Sequence, residues 1–275
     1  MTSFVKMHGL GNDFVIIDQR KKTGTSHLLS KAQVSAIADR RRGVGCDQLV
    51  FIYPANSCRA SASLKFLNAD GSESSACGNA TRCVAWYLMS QSNESKINLE
   101  TDSGILHAFI KKENIITIDM GLPKLKWVDI PLSKYCDTLY LPIQEEGLSN
   151  PVGVSMGNPH CIFFVENVEE IDLTECGAKI ENHSLFPERT NVGFASKLGP
   201  NIFRLRVWER GTGITQSCGT GACATAVACH RRGLSSRRVE IVTDGGRLNI
   251  HWRKKDGHVL MTGPAETSFT GELLL

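Results

Sequence analysis

No stretch of the chain stays apolar for the roughly 20 residues that a membrane-spanning helix needs. The amino terminus, MTSFVKMHGLGNDFVIID, has no uninterrupted apolar core of the kind a secretory signal carries, so export is not expected. Charge of one sign is lacking too. The 31 basic and 28 acidic residues leave a formal net charge of +3 and give no reason to invoke nucleic acid or membrane as a partner. Ten cysteines in 275 residues fall well short of a disulfide scaffold, so the expected compartment is a reducing cytoplasm. The glycine pairs Gly9-x-Gly11 and Gly211-x-Gly213 have neither a completing glycine nor a phosphate-binding lysine. With no motif to seat pyridoxal or a nucleotide, no cofactor is expected. A hydrophobic content of 41% with 21% charged residues is that of an ordinary globular protein.

No low-complexity linker divides the sequence, yet it repeats itself at about half its length. INLETDSG, ending at Gly104, matches VEIVTDGG, ending at Gly246. Beyond them, Met120, Gly121 and Pro123 are echoed by Met261, Gly263 and Pro264. Upstream, Leu64–Phe66 matches Leu205–Val207, Cys77-Gly78 matches Cys218-Gly219, and Gly11-Asn12 is echoed by Gly157-Asn158. Common order and nearly constant spacing imply a duplication. The expected domains are residues 1–121, carrying Cys77, and 122–264, carrying Cys218, with residues 265–275 placed to return to the first as a strand.

Within each copy the periodicities agree. Ala62, Leu64 and Phe66 alternate with Ser63 and Lys65, as Phe203, Leu205 and Val207 alternate with Arg204 and Arg206. Both segments predict strands with one buried face. Hairpins are predicted to turn near Lys112–Asn114 and Lys255–Gly257. After each matched cysteine, GNATRCVAWYLM and GTGACATAVAC are proline-free and apolar on nearly all sides, which predicts buried helices. Surface helices are expected near Lys31–Arg41 and Ile171–Glu181. The fold class is therefore α/β, of the α+β type. Two pseudo-symmetric domains each wrap a curved, mostly antiparallel sheet around a central helix.

The two matched cysteines fall where the buried helices begin. Unpaired backbone N–H groups and the positive end of the helix dipole favour an anion there. Cys77 and Cys218 are thus expected to ionise more readily than the reference thiol at about 8.5. The N–H groups of Gly78, Asn79, Gly219 and Thr220 are candidates to hold a carboxylate. Two like groups, one thiolate and one thiol, suit the inversion of an α-carbon, with a base on one face and an acid on the other. Cys83, Cys223 and Cys229 lie within the helices and are expected as buried small hydrophobes. The spacing Cys218-x4-Cys223-x5-Cys229-His230 is loose for zinc, and helical phase scatters those side chains, so no metal is expected.

The segments HGLGNDF (His8–Phe14), GCDQL (Gly45–Leu49), NADGS…CGN (Asn68–Asn79), GNPH (Gly157–His160), ERTNVGF (Glu188–Phe194) and ER…CGTGAC (Glu209–Cys223) together resemble diaminopimelate epimerase, in order and over nearly the whole chain. The resemblance implies interconversion of LL- and meso-diaminopimelate, on the branch supplying lysine and peptidoglycan. It implies that Cys77 and Cys218 are the acid–base pair and that Gly78, Asn79, Gly219 and Thr220 hold the reacting carboxylate. Asn12, Gln48, Asn68, Asn158, Asn191, Glu209 and Arg210 would surround the rest of the substrate. His160 is a candidate to orient groups near a thiol, and reads equally as a structural histidine after Pro159. Ile214 stands where the family usually has an acidic residue, and Ala80 where it usually has glycine. A small amino-acid substrate is the expected partner, and a homodimer is compatible with these features. Two alternatives stay open: a two-cysteine racemase of proline or another amino acid, and a non-catalytic thiol-redox or zinc-binding protein.

Overall fold

A computed structural model describes residues 1–21, 29–74, 77–145 and 147–274. Ser75 and Ala76, within the NADGS…CGN segment, and Leu275, the last residue of the expected C-terminal strand, lie outside the described residues. The chain forms two compact units, Met1–Ile118 with Gly263–Leu275, and Asp119–Thr262. Among the described residues no helix is long and apolar enough to cross a membrane.

The first unit contains β1 (Thr2–Gly9), β2 (Asn12–Asp18), α1 (Lys31–Ala38), β3 (Gln48–Tyr53), β4 (Ala62–Asn68), β5 (Glu73–Ser74), α2 (Gly78–Ser90), β6 (Lys96–Thr101) and β7 (Gly104–Lys112). β8 (Ile115–Asp119) leads out of it. The last strand of the chain, β19 (Glu266–Leu273), pairs antiparallel with β1. The β1–β2 hairpin closes on Leu10 and Gly11, both at positive φ (60° and 78°), the two-residue turn whose twist matches the flanking strands. β2 and β3 are parallel, β3 and β4 antiparallel, β4 and β6 parallel, and β6 and β7 antiparallel, with β5 a short antiparallel partner of β4.

The second unit starts with a small hairpin, β9 (Gln144–Glu145) and β10 (Leu148–Ser149). It continues with β11 (Val152–Ser155), β12 (Pro159–Phe164), α3 (Leu173–Glu181), β13 (Asn191–Gly199), β14 (Ile202–Glu209), β15 (Gly213–Ile214), α4 (Gly219–Arg231), β16 (Arg238–Thr243), β17 (Gly246–Trp252) and β18 (Val259–Pro264). Its pairings repeat the first unit's step for step. β11–β12 is antiparallel, β12–β13 parallel, β13–β14 antiparallel, β14–β16 parallel and β16–β17 antiparallel, with β15 on β14. This is a duplicated-domain fold.

Each sheet is covered on both sides. Val15, Ile17, Leu49 and Phe51 form a core with Val34, Ile37 and Ala38 of α1. Their neighbours Phe14, Ile16, Val50 and Ile52 are also buried and by alternation face the other way, the side on which α2 lies against β1, β2, β6 and β7. That is why VII and LVFI read as continuous apolar runs instead of alternating ones. α4 likewise packs on β11, β12, β13, β14, β16 and β17, while Leu173, Cys176 and Ile180 of α3 join the opposite core with Phe163 and Phe194. Cys83, Cys223 and Cys229 are fully buried, as small apolar residues of the central helices. His230 Nδ1 donates to Ser235 O at 3.2 Å, and its ring lies edge-on to Trp252.

Strand β4 gives a direct test of register. Leu64 is buried, whereas Lys65 points outward to Glu73 at 2.6 Å. Leu64→Ala should cost about 2–5 kcal/mol in urea unfolding, and Lys65→Ala about 1 kcal/mol or less, since an exposed ion pair contributes little.

Candidate active site

In both units the same three ends of the sheet carry the polar residues. Asn12 opens β2 and Asn158 immediately precedes β12; Gln48 and Asn191 open β3 and β13; Asn68 and Glu209 close β4 and β14. The topology explains the clustering. Two parallel strands begin where their antiparallel neighbour ends, so all three positions share one edge. The chain then turns through β5 or β15 into the central helix, which starts at the cysteine.

Cys77 is the extended N-cap residue of α2 (φ −144°, ψ 111°), half-buried. Its Sγ lies 3.9 Å from Asn12 Oδ1, which also accepts from Asn79 Nδ2 at 3.3 Å. The Asn12 amide cannot turn over, because its Nδ2 donates to Asp47 Oδ2 at 2.6 Å. Asp47 and Asp13 exchange backbone N–H bonds, and Arg40 bridges both carboxylates at 2.7–2.9 Å. Lys6, almost fully buried, donates to Asp13 and to Gly45 O. Burial alone would raise the Asp13 carboxyl, but hydrogen bonds and charges from Arg40 and Lys6 outweigh it and hold it at about 2. On the other side, Asn79 Oδ1 accepts from Arg82 Nη1 at 2.8 Å, and Arg82 Nε donates to Pro264 O at 3.3 Å. Arg82 is completely buried beneath Gly9, where a Cβ would come within 2.9 Å of its guanidinium. Gln48 Nε2 donates to Asn68 Oδ1 at 2.9 Å. Gln48 Oε1 is buried with no partner among the described residues, a ready acceptor for an ammonium.

Cys218 is the N-cap of α4 (φ −107°, ψ 111°) and only 5% exposed. Its Sγ accepts from Gly221 N at 3.4 Å and lies 3.5 Å from Thr220 Oγ1. A chain of hydrogen bonds runs outward from it. Asn158 Nδ2 donates to Thr220 Oγ1 at 3.3 Å, and Asn158 Oδ1 meets His160 Nε2 at 3.1 Å. Asn191 Nδ2 donates to Pro159 O at 2.8 Å, and Asn191 Oδ1 accepts from Arg210 N at 3.0 Å. Glu209 also borders the sulfur: Thr215 Oγ1 donates to its Oε1 at 2.5 Å, and its carboxylate faces Cys218. Arg210 Nη1 donates to Glu188 O at 3.0 Å.

One expectation is corrected here. Burial pushes the Cys218 thiol well above its ordinary value, and the Glu209 carboxylate adds to the rise. The hydrogen bonds from Thr220 and Gly221 pull the other way and are outweighed. A helix start favours a thiolate only where solvent still reaches the sulfur.

Each sequence-derived residue lies at the cysteine end of its own unit's sheet or helix. Asn12 and Asn79 are gathered with Cys77; Asn158, His160, Asn191, Glu209, Arg210, Gly219 and Thr220 with Cys218. Asn191 spends both polar ends on the backbone, so its role is to hold Pro159 and Arg210 in place. Sequence reading missed Lys6, Asp13, Arg40, Asp47 and Arg82. The one available signal was two aspartates next to motif residues, Asp13 after Asn12 and Asp47 before Gln48.

A family model described as diaminopimelate epimerase matches residues 4–126 and 152–268. The chain belongs to that family. It is 51% identical to the diaminopimelate epimerase of Acidiphilium cryptum, over 98% of this chain and 95% of that one. It is 50% identical to that of Rhodospirillum centenum, over 98% and 91%. Among solved structures it resembles a hydroxyproline epimerase from Agrobacterium vitis (TM-score 0.70, 16% identity, 98% and 91% covered). A Bacillus anthracis phenazine biosynthesis protein is similar as well (TM-score 0.69, 17% identity, 100% and 99% covered). At these identities the structural likenesses show the fold alone, and nothing about substrate.

His160 is fully buried, and burial, reinforced by the Arg210 charge, drops its pKa from 6.5 to about 3. The unfolded chain therefore takes up a proton near pH 6.5 that the folded chain refuses until about pH 3. This histidine's contribution to stability is complete above 6.5 and is lost as pH falls toward 3. In an NMR titration from pH 8 to 5 the His160 ring nitrogens should keep the neutral Nε2–H pattern. A midpoint inside that range would contradict the assignment.

Proposed function

We propose that this isomerase interconverts LL- and meso-diaminopimelate without a cofactor, using Cys77 and Cys218 as its acid–base pair. The observation that carries the reading is the equivalence of the two cysteines. Each is the N-cap of a central helix, in units whose strand pairings are the same. Family membership supplies the substrate.

One sulfur, as thiolate, takes the α-hydrogen; the other, as thiol, gives its proton to the opposite face of the carbanion. The reverse reaction exchanges the roles. In either direction one sulfur starts as thiolate and the other as thiol, and the reaction leaves them exchanged. Backbone N–H groups at the helix starts, those of Gly78, Asn79, Gly219 and Thr220, receive the carboxylate on which charge develops. The free acceptor of Gln48 and the Glu209 carboxylate suit ammonium groups, and the Arg210 guanidinium suits a distal carboxylate. Asn12, Asn68 and Asn158 complete the polar lining, with Asn191 and His160 setting the position of their neighbours. The step serves lysine and peptidoglycan supply in the cytoplasm, with the enzyme as a homodimer.

In deuterium oxide, with no added cofactor, deuterium should enter the α-carbon of diaminopimelate. Cys77→Ala and Cys218→Ala should each lower kcat by at least about 10³-fold. Epimerisation that survives either substitution would falsify the two-cysteine mechanism, and faster turnover of proline than of diaminopimelate would overturn the substrate.

Peroxide should inactivate the enzyme by oxidising the two thiols to a disulfide, the peroxide being reduced to water. Activity should return with dithiothreitol. Inactivation that leaves both thiols titratable would argue against their pairing.

A further inference from the structure

Glu181 is a carboxylate that the mechanism does not use, and it sits where simple electrostatics disfavours it. It is the last residue of α3, at the negative end of the helix dipole, and it is only 5% exposed. A buried carboxylate in such a place is costly unless several donors satisfy it. Here three do. Oε2 accepts from Trp208 Nε1 at 2.6 Å, and Oε1 accepts from Gly211 N at 2.8 Å and from Arg189 Nη1 at 3.2 Å.

The identity of two of those donors gives the site its meaning. Trp208 immediately precedes Glu209, and Gly211 immediately follows Arg210. One carboxylate therefore grips both sides of the two-residue segment. We propose that α3 is a clamp on this corner, and that Glu181 is the positioning residue for Glu209 and Arg210. The inference rests on the proposed function only in taking that pair to face the substrate.

Three further features fit the clamp. One turn before Glu181, a Cβ on Gly177 would come within 2.6 Å of Trp208 Cγ, so glycine is what lets the indole lie against the helix. The corner itself is the tight turn of the β14–β15 hairpin, with Glu209 opposite Gly213, and Gly211 and Gly213 at positive φ (74° and 95°) let the chain make it. Finally, Thr190 N donates to Glu181 O at 3.2 Å, tying the end of α3 to the residue before Asn191, whose Oδ1 holds Arg210 N. Both anchors of Arg210's backbone thus depend on the end of α3.

Glu181→Gln is nearly isosteric but turns an N–H₂ toward one of the donors, and Glu181→Ala leaves all three without this acceptor. Diaminopimelate kinetics should show KM raised about tenfold in E181Q, with kcat within threefold, and more in E181A, as expected when a binding group is displaced. In heteronuclear NMR of the unliganded enzyme, the Trp208 indole and Gly211 amide protons should both move upfield in E181Q. Val168→Ala, in the same core and next to Glu169, which pairs with Arg204 five residues before Glu209, serves as a stability control. It should lower the melting temperature and leave KM within twofold. If E181Q and E181A lose stability like V168A while KM stays unchanged, Glu181 is a structural residue and the proposal is overturned. If wild-type enzyme fails to epimerise diaminopimelate, the substrate assignment fails alone. The clamp is then judged on the two proton signals, and a Gly211 amide that does not move in E181Q overturns it.

Discussion

Each half of this protein is organised around a sulfur at the first residue of a buried helix. The position is set by packing. α2 and α4 are enclosed by the strands of their own sheets, so their starting points cannot slide along the axis without unseating a row of buried side chains. Interiors at native density tolerate little such movement. The placement also imposes a conflict. A helix start invites an anion, whereas the burial that fixes the helix repels one. At Cys218 burial wins, helped by a neighbouring carboxylate. A sulfur in that state is suited to hold and deliver a proton, provided a base elsewhere carries the complementary charge.

The polar shells of the two cysteines differ although their scaffolds repeat. Beside Cys77 stands the amide of Asn12, held from behind by Asp47 and by Asn79, which buried Arg82 holds in turn. Around Cys218 the neighbours are a hydroxyl, a backbone N–H and a carboxylate. Duplication supplies two sulfurs at equivalent positions. Divergence at the three shared sheet ends supplies different neighbours: Asn68 in one unit where Glu209 stands in the other, and Gln48 where Asn191 stands. In the proposed reaction the α-carbon offers opposite faces to an acid and a base, whereas the rest of diaminopimelate is not symmetric about that carbon. A symmetric scaffold with unequal shells answers both demands of the proposed reaction.

Much of this was legible in the residues. The alternation of Ala62, Leu64 and Phe66, the small-residue helices after each cysteine, and the repeated Cys-Gly all depend on short-range patterns with fixed periods, which sequence displays directly. The equivalence of Gln48 with Asn191 and of Asn68 with Glu209 was not legible. Those pairs share a place on the sheet but not a residue type, and only strand register brings them into correspondence. Arg82 was hidden for a related reason. A charged residue in a helix reads as solvent-facing, and nothing local announces that Gly9, more than 70 residues earlier in the chain, leaves room for its guanidinium. The Cys218 thiol is the instructive error. The helix-start argument uses neighbours in sequence, whereas desolvation depends on everything nearby in space.

The same distinction explains α3. Its amphipathic pattern announces a helix lying on the surface of a core, and Leu173, Cys176 and Ile180 do bury there. Packing alone, however, would place an apolar or small residue at position 181, since an ionised carboxylate loses more hydration than three hydrogen bonds return unless their geometry is good. The carboxylate is explained by its donors, which lie on either side of Glu209 and Arg210. A helix that would otherwise only cover a sheet face thereby grips the glycine-rich turn between β14 and β15 on both sides of Glu209 and Arg210. Stiffness at the end of β14 is borrowed from α3 through one buried side chain, and a loop so held can present charged groups at defined positions without itself belonging to the core.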